Sequence, residues 1–251
     1  MQKTRLIKPL IILLSLMMLS SLSRSQILIS ILLGDKLNSG AIEFGLTGGL
    51  DRTYMLQTEG SKGLNQFNLG FYFDFRLKKE TAWFLYTGCL VKSGMGASNV
   101  AVYPLDDYDL DSTMVGGSIN RKISYFHVPI AIKYRFKSNI FVLAGTQLGL
   151  RYKATDEFTN SVNNTDDLVY KHDTRDYYRR IDAGLTAGIG YKFRYGAMMN
   201  MGVRYYYGLV DAFKEGYGYA TNSALYVFAE IPIGAERKVR PPREKKKKKD
   251  K

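Results

Sequence analysis

Among the side chains able to do chemistry, His127 draws attention because Ser124 lies three residues before it. An imidazole beside a hydroxyl is the beginning of a hydrolase or acyltransferase site, where the ring accepts the proton as the oxygen attacks. Such a site needs a third group to orient the ring, and the sequence offers none. His127 therefore reads as a hydrogen-bonded wall residue and the chain as not an enzyme. Asp107, Asp109 and Asp111 have the spacing that opens a calcium loop, but Ser112 and Ser118 stand where that loop requires glycine and glutamate. The run reads as a solvated acidic loop, with a surface cation as the alternative. These patterns assign no catalytic, cofactor-binding or metal-binding residue. Cys89 is the single cysteine, so no disulfide forms within the chain.

A larger constellation is built from charges of both signs. Glu43, Asp74, Arg76, Lys133, Arg135, Arg151, Asp182, Lys192, Arg204 and Glu230 share one face of a series of alternating segments. From 180 to 193 the other face carries Ile181, Ala183, Leu185, Ala187, Ile189, Tyr191 and Phe193. A period of two is a strand. The apolar face has no helix in the sequence to cover it, and lipid is the cover the pattern calls for.

Eight such segments cover 41–51, 66–77, 82–93, 121–136, 140–153, 177–194, 197–209 and 224–233. A membrane-crossing strand needs about 9 to 11 residues, which each segment supplies. Their connections alternate, with long ones at 52–65, 94–120, 154–176 and 210–223 and short ones at 78–81, 137–139 and 195–196. That rhythm predicts an all-β fold, an eight-stranded antiparallel up-and-down transmembrane barrel in the cell outer membrane, with its short turns in the periplasm. Amphipathic rings collect at the two membrane boundaries. Phe75, Trp83, Phe136 and Phe193 are placed on the periplasmic rim, and Phe67, Tyr152, Tyr177 and Tyr207 on the outer rim. Eight strands leave an interior just wide enough for side chains, so the ten charged residues are expected to pair as a plug rather than line a conduit. The phase of 82–93 stays open: Lys92 puts Phe84 and Tyr86 inside, whereas Trp83 and Leu85 suit lipid equally well.

The ends of the chain carry most of its charge. Lys3, Arg5 and Lys8 precede an apolar run at 10–19, and Ser23 and Ser25 precede Gln26, which reads as a signal peptide over residues 1–25. Residues 26–40 read as a periplasmic segment, 41–234 as the barrel and 235–251 as a disordered basic tail. Of the formal net charge of +13, the leader holds +4 and residues 236–251 hold +7, leaving +2 for everything between. Charge confined to a leader and a tail is no footprint for nucleic acid. The partners expected are outer-membrane lipid and lipopolysaccharide. The tail is either a solvated end or is drawn to peptidoglycan or anionic lipid.

Several phrases carry a family resemblance: YFHVPIAIKYRF (125–136), FVLAGTQLGLRYK (141–153), RIDAGLTAGIGYKF (180–193) and GVRYYYGLVD (202–211), with IEFGLTGGL (42–50) and FNLGFYFDFRL (67–77) before them. Together they resemble the PorT-like outer-membrane β-barrel proteins of Bacteroidota. The resemblance covers nearly all of 27–234. It implies an eight-stranded outer-membrane barrel, and a named member of that family is implicated in type IX secretion. Three roles follow as expectations: a structural or interaction barrel first, an accessory of type IX secretion second, and an enzyme acting on outer-membrane lipid last.

Overall fold

The computed structural model describes residues 41–78, 81–162, 165–194 and 198–233. The predicted leader, residues 26–40 and the basic tail lie outside them. Nine strands are present: β1 (Ile42–Leu56), β2 (Lys62–Arg76), β3 (Trp83–Val100), β4 (Ser118–Arg135), β5 (Ile140–Val162), β6 (Thr165–Asp173), β7 (Ile181–Lys192), β8 (Asn200–Asp211) and β9 (Thr221–Pro232). Every pairing is antiparallel, and eight of the strands close into a ring in which β1 pairs with both β2 and β9, and β5 with both β4 and β7. In lipid each unpaired backbone group costs several kcal/mol, and only a closed ladder satisfies them all. Among the described residues no helix is long and apolar enough to cross a membrane.

The ninth strand corrects the expected loop at 154–176. β5 runs on to Val162 and returns as β6, which pairs only with the outer end of β5, from Thr155 opposite Asp173 to Val162 opposite Thr165. The loop expected at 52–65 is likewise mostly strand, with only 57–61 between β1 and β2, and β3 continues to Val100. The strands outlast their pattern for a physical reason. Outside the bilayer water covers the outward face, so alternation is no longer enforced while the backbone ladder continues.

Alternation inside the membrane governs exposure. On β8 Met201, Val203, Tyr205 and Tyr207 are exposed, while Asn200, Arg204 and Tyr206 are buried. β7 exposes Ile181, Leu185 and Ile189 and buries Asp182 and Thr186. Together these outward residues form the apolar band of a membrane barrel. On β3 Phe84 and Tyr86 are buried, which fixes the open phase, but Lys92 is not their companion. The ladder pairs Gly70 with Leu90 and Leu69 with Lys92, a bulge that turns both Val91 and Lys92 outward before Ser93 points in again. One inserted residue moves every later side chain to the other face.

Candidate functional site

The lumen is filled in two layers of different chemistry. At the inner end Lys133 projects from β4 between two strands that each bring a carboxylate. Its Nζ lies 2.7 Å from Asp74 Oδ2 and 3.7 Å from Glu230 Oε2, and all three side chains are fully buried. Arg135 Nη2 reaches the same Asp74 oxygen at 3.5 Å. Asn200 Nδ2 donates to Glu230 at 2.9 Å, the Tyr72 hydroxyl donates to Glu43 at 3.0 Å, and Lys192 pairs with Glu43. Tyr72, Tyr86, Phe141 and Phe228 pack around these charges, with Phe141 placing its ring 4.2 Å from the Lys133 nitrogen. A dry ion pair depends on its remaining bonds; neutral donors and rings supply part of the shell, while Asp74 Oδ1 and Glu230 Oε1 are buried with no hydrogen-bond partner among the described residues.

Further out, the expected mutual pairing gives way to neutral partners. Arg204 has no carboxylate within ion-pair distance among the described residues. Its Nη1 donates to the Tyr86 hydroxyl at 3.2 Å, and the guanidinium lies 4.9 Å from the Tyr226 ring and 5.7 Å from that of Phe228. A planar, weakly hydrated guanidinium suits ring faces, which explains how it is held without an acid. Asp182 accepts from the Asn222 amide at 3.2 Å, and Asp51 from Asn68 at 3.2 Å. Arg76 is exposed at the inner rim, its guanidinium 5.4 Å from the Phe84 ring, and Arg151 donates to the Arg179 carbonyl at the outer rim. These two stand at the rims of the lumen.

The His127 pairing differs from the expected one. Ser124 lies on the opposite face of β4, because residues three apart on a strand point opposite ways. The partner is Ser93, whose hydroxyl sits 2.9 Å from His127 Nδ1 at the point where the β3 bulge turns it inward. The buried ring stacks on Tyr125 at 5.1 Å. Gly149 faces it across the ladder, and a methyl group there would come 2.8 Å from the imidazole. No carboxylate hydrogen-bonds His127 among the described residues, so the pair lacks the orienting group of a hydrolase.

Above the rim lies an apolar cap that alternation alone did not announce. Met55, Met95, Val100, Met114, Ile119, Phe158, Tyr178 and Phe213 are buried together. A single ion pair is set inside them: Arg121 Nη2 lies 3.1 Å from Asp156 Oδ2, and the Tyr103 hydroxyl donates to that oxygen at 3.2 Å. Burial, with the Asp156 charge second, pushes the Tyr103 hydroxyl well above its ordinary range. The Arg121 guanidinium lies 5.3 Å from the Phe213 ring. Arg121 does share the phase of Tyr125 and His127 on β4, which was the available signal. Asp156 and Phe158 follow a register shift near Lys153 that reverses the phase of β5.

Outside the barrel, Phe67, Trp83, Phe136, Tyr152, Phe193 and Tyr207 are exposed, and Phe75 is half-buried, stacked at 5.9 Å on Phe73. Tyr177 departs from the expected girdle. It ends a 3-10 turn (Arg175–Tyr177) ahead of β7, where its ring stacks on Tyr217 at 4.6 Å and its hydroxyl lies 3.2 Å from His172. The acidic run forms a short helix, α1 (Tyr108–Thr113), capped by Asp107, while Asp111 accepts from the Leu105 amide at 2.7 Å. These bonds engage the Asp107 and Asp111 carboxylates in holding the turn. No group of three metal-ligating side chains occurs among the described residues.

The family match agrees with the ring. The family described as outer membrane protein beta-barrel domain matches residues 33–214. The Ail protein of Yersinia pestis is 12% identical, with 76% of this chain and 99% of that one covered at a TM-score of 0.38. For OprG of Pseudomonas aeruginosa the figures are 12%, 76% and 94%, at a TM-score of 0.32. Neisserial surface protein A is 10% identical over 78% of this chain and 98% of its own, at 0.37. No curated protein sequence matches the chain.

Proposed function

The chain belongs to the outer membrane protein β-barrel domain family, and from that premise we propose that it is a closed, membrane-anchored interaction protein, plugged within and presenting its outer end to partners. What supports this reading is a buried side-chain cluster at each end of the barrel. The Lys133–Asp74–Glu230 cluster fills the inner end and the cap around Arg121 and Asp156 fills the outer one. Eight strands leave an interior just wide enough for side chains, so clusters at both ends favour a closed lumen. What the barrel offers instead is surface, and its outer end exposes the large side chains of Tyr108, Val115, Tyr217 and Tyr219 beyond the membrane.

Reconstitution in planar bilayers tests the closure, with the expected outcome being no stable conductance and uniform porin-like steps the outcome that overturns it. A photo-crosslinker at Tyr217 or Tyr219 tests the surface, and a specific adduct that is lost when Tyr108 and the other of these two tyrosines are changed to serine is expected. The resemblance of the 125–136, 141–153, 180–193 and 202–211 phrases to PorT-like proteins supports a finer reading, that the partner belongs to type IX secretion. Loss of export on deleting the gene is the result that reading requires.

A further inference from the structure

A groove of about 750 Å³ opens on the outside of the barrel at the outer rim, lined by Phe126, Leu150, Arg151, Tyr152, Asp173, Arg175, Asp176 and Arg180. Its two halves differ in chemistry. The membrane half is apolar: Phe126 and Leu150 are directly paired across β4 and β5, and the Phe126 and Tyr152 rings lie 4.6 Å apart, all three exposed. The upper half carries three guanidinium groups and two carboxylates at the height where the apolar band ends.

These charges are not equivalent. Arg175 is tied to Asp173, with Nη2 2.8 Å from Oδ2, and Arg151 Nε donates to the Arg179 carbonyl at 3.2 Å. Arg180 is exposed, immediately before lipid-facing Ile181, and its guanidinium makes no hydrogen bond or ion pair with any described residue. An arginine fixed at a membrane boundary with its fork unfilled matches a phosphate, which takes two parallel N–H bonds. A simple anion does not account for Asp176 in the same groove. A head group that also bears hydroxyls does, because hydroxyls donate to a carboxylate while the phosphate accepts from the guanidinium groups.

We propose that this groove is a binding site for one phosphorylated, sugar-headed lipid of the outer leaflet. Its phosphate takes the fork of Arg180 and the Arg175 Nη1 group that the Asp173 pair leaves open, its sugar hydroxyls face Asp176, and an acyl chain lies on Phe126, Leu150 and Tyr152. The proposal rests on the membrane placement of the barrel and stands apart from the partner-binding role of the outer end.

The test is native mass spectrometry of the full-length protein released from detergent, with diphosphoryl lipid A, its fully dephosphorylated form and phosphatidylglycerol as probes. Wild-type protein is expected to retain diphosphoryl lipid A at least about tenfold better than the Arg175→Gln/Arg180→Gln variant, the scale of one charge-assisted contact. Dephosphorylated lipid should show no such difference, and phosphatidylglycerol should be held less well than diphosphoryl lipid A. Equal retention by wild type and variant overturns the site, and phosphatidylglycerol held as well as lipid A overturns the sugar-headed assignment. Because both arginine side chains are exposed, the variant should keep its heat-modifiable mobility. A further variant, Leu150→Ser, separates fold from binding: reduced lipid A retention by a folded barrel is expected, and unchanged retention removes the acyl chain from the groove. Failure of all three arms leaves the crosslinking at Tyr217 and Tyr219 unaffected, so the two ideas fail independently.

Discussion

The inner plug and the outer cap each hold a buried ion pair, yet they are built in opposite ways. Inside the membrane Lys133 serves two carboxylates, and the cluster is finished by Arg135 and Asn200. Outside it Arg121 and Asp156 form a single pair, set among methionines, isoleucine and rings. The difference follows from what surrounds the strands. Lipid covers the membrane segment, so apolar side chains go outward and the polar remainder must settle its hydrogen bonds within the lumen. The outer extension stands in water and buries its apolar side chains inward, as a soluble β-domain does.

The sharpest way to break that comparison is to remove the cation of the plug. Lys133→Met leaves Asp74 and Glu230 facing each other, both fully buried, and should destabilise the barrel by ~3 to 5 kcal/mol. Urea unfolding in detergent, followed by heat-modifiable mobility, measures it. A loss under about 1 kcal/mol would mean that water reaches the cluster, and the plug would have to be redrawn as wet. In the cap the equivalent cut is apolar. Phe158→Ala empties a fully buried position and should cost ~3 kcal/mol, but in the outer extension alone. Limited proteolysis of β5 and β6 should quicken while membrane insertion is kept. Loss of insertion as well would show that cap and barrel fold as one unit.

What could be seen in the sequence divides along the same boundary. Where lipid enforced alternation, as in β7 and β8, both the strand and its faces were legible residue by residue. Beyond the rim the ladder persists without the pattern, so β6 and the outer half of β5 were taken for a loop. Eight of the ten charged residues lie in the lumen, where charge on an alternating face was the signal, while Arg76 and Arg151 stand at its rims. Their partners were less legible, since Asn200, Asn222, Asn68 and Ser93 are ordinary polar residues and contact depends on which strands face across the ring. Arg204 shows the limit clearly: its phase put it in the lumen, but only the closed barrel puts Tyr86, Tyr226 and Phe228 around it. Bulges at Lys92 and near Lys153 set the rest, because a one-residue insertion has no composition of its own.

The outward face offers a third comparison, between lipid and water on the same kind of strand. Leu185 is 53% exposed near the middle of β7, so Leu185→Arg puts a charge in the apolar band and should cost ~2 to 3 kcal/mol. Val169→Arg, on the exposed face of β6, should change stability by less than about 0.5 kcal/mol, as surface substitutions do. Equal losses in the two would mean that the band does not face lipid at Leu185, and the alternation of β7 would need another cause.

The smallest effect expected is electrostatic and belongs to the outer extension. Glu157 on β5 pairs with Lys122 of β4 and lies 3.6 Å from Lys171 of β6, so one carboxylate ties three strands above the membrane. The hydrogen bond from Lys122, opposed by partial burial and aided by both lysine charges, holds its carboxyl below the ordinary glutamate range. A lowered folded value means that the stabilisation is complete above the unfolded glutamate's titration and is lost as pH falls through the depressed one. Both lysines are well exposed, so the tie should be worth only ~0.2 to 1 kcal/mol. Amide exchange in β6, compared between neutral and acidic pH after correction for the intrinsic rate, should show lower protection in acid, and Glu157→Gln should remove most of that difference. The plug, shielded from salt, should not follow the ionic strength, whereas this pair should weaken as salt rises. If β6 protection ignored both pH and Glu157→Gln, its attachment would rest on the backbone ladder and on Phe158 and Tyr170, whose rings lie 6.2 Å apart, and the charges on this outer surface would be solvated rather than structural.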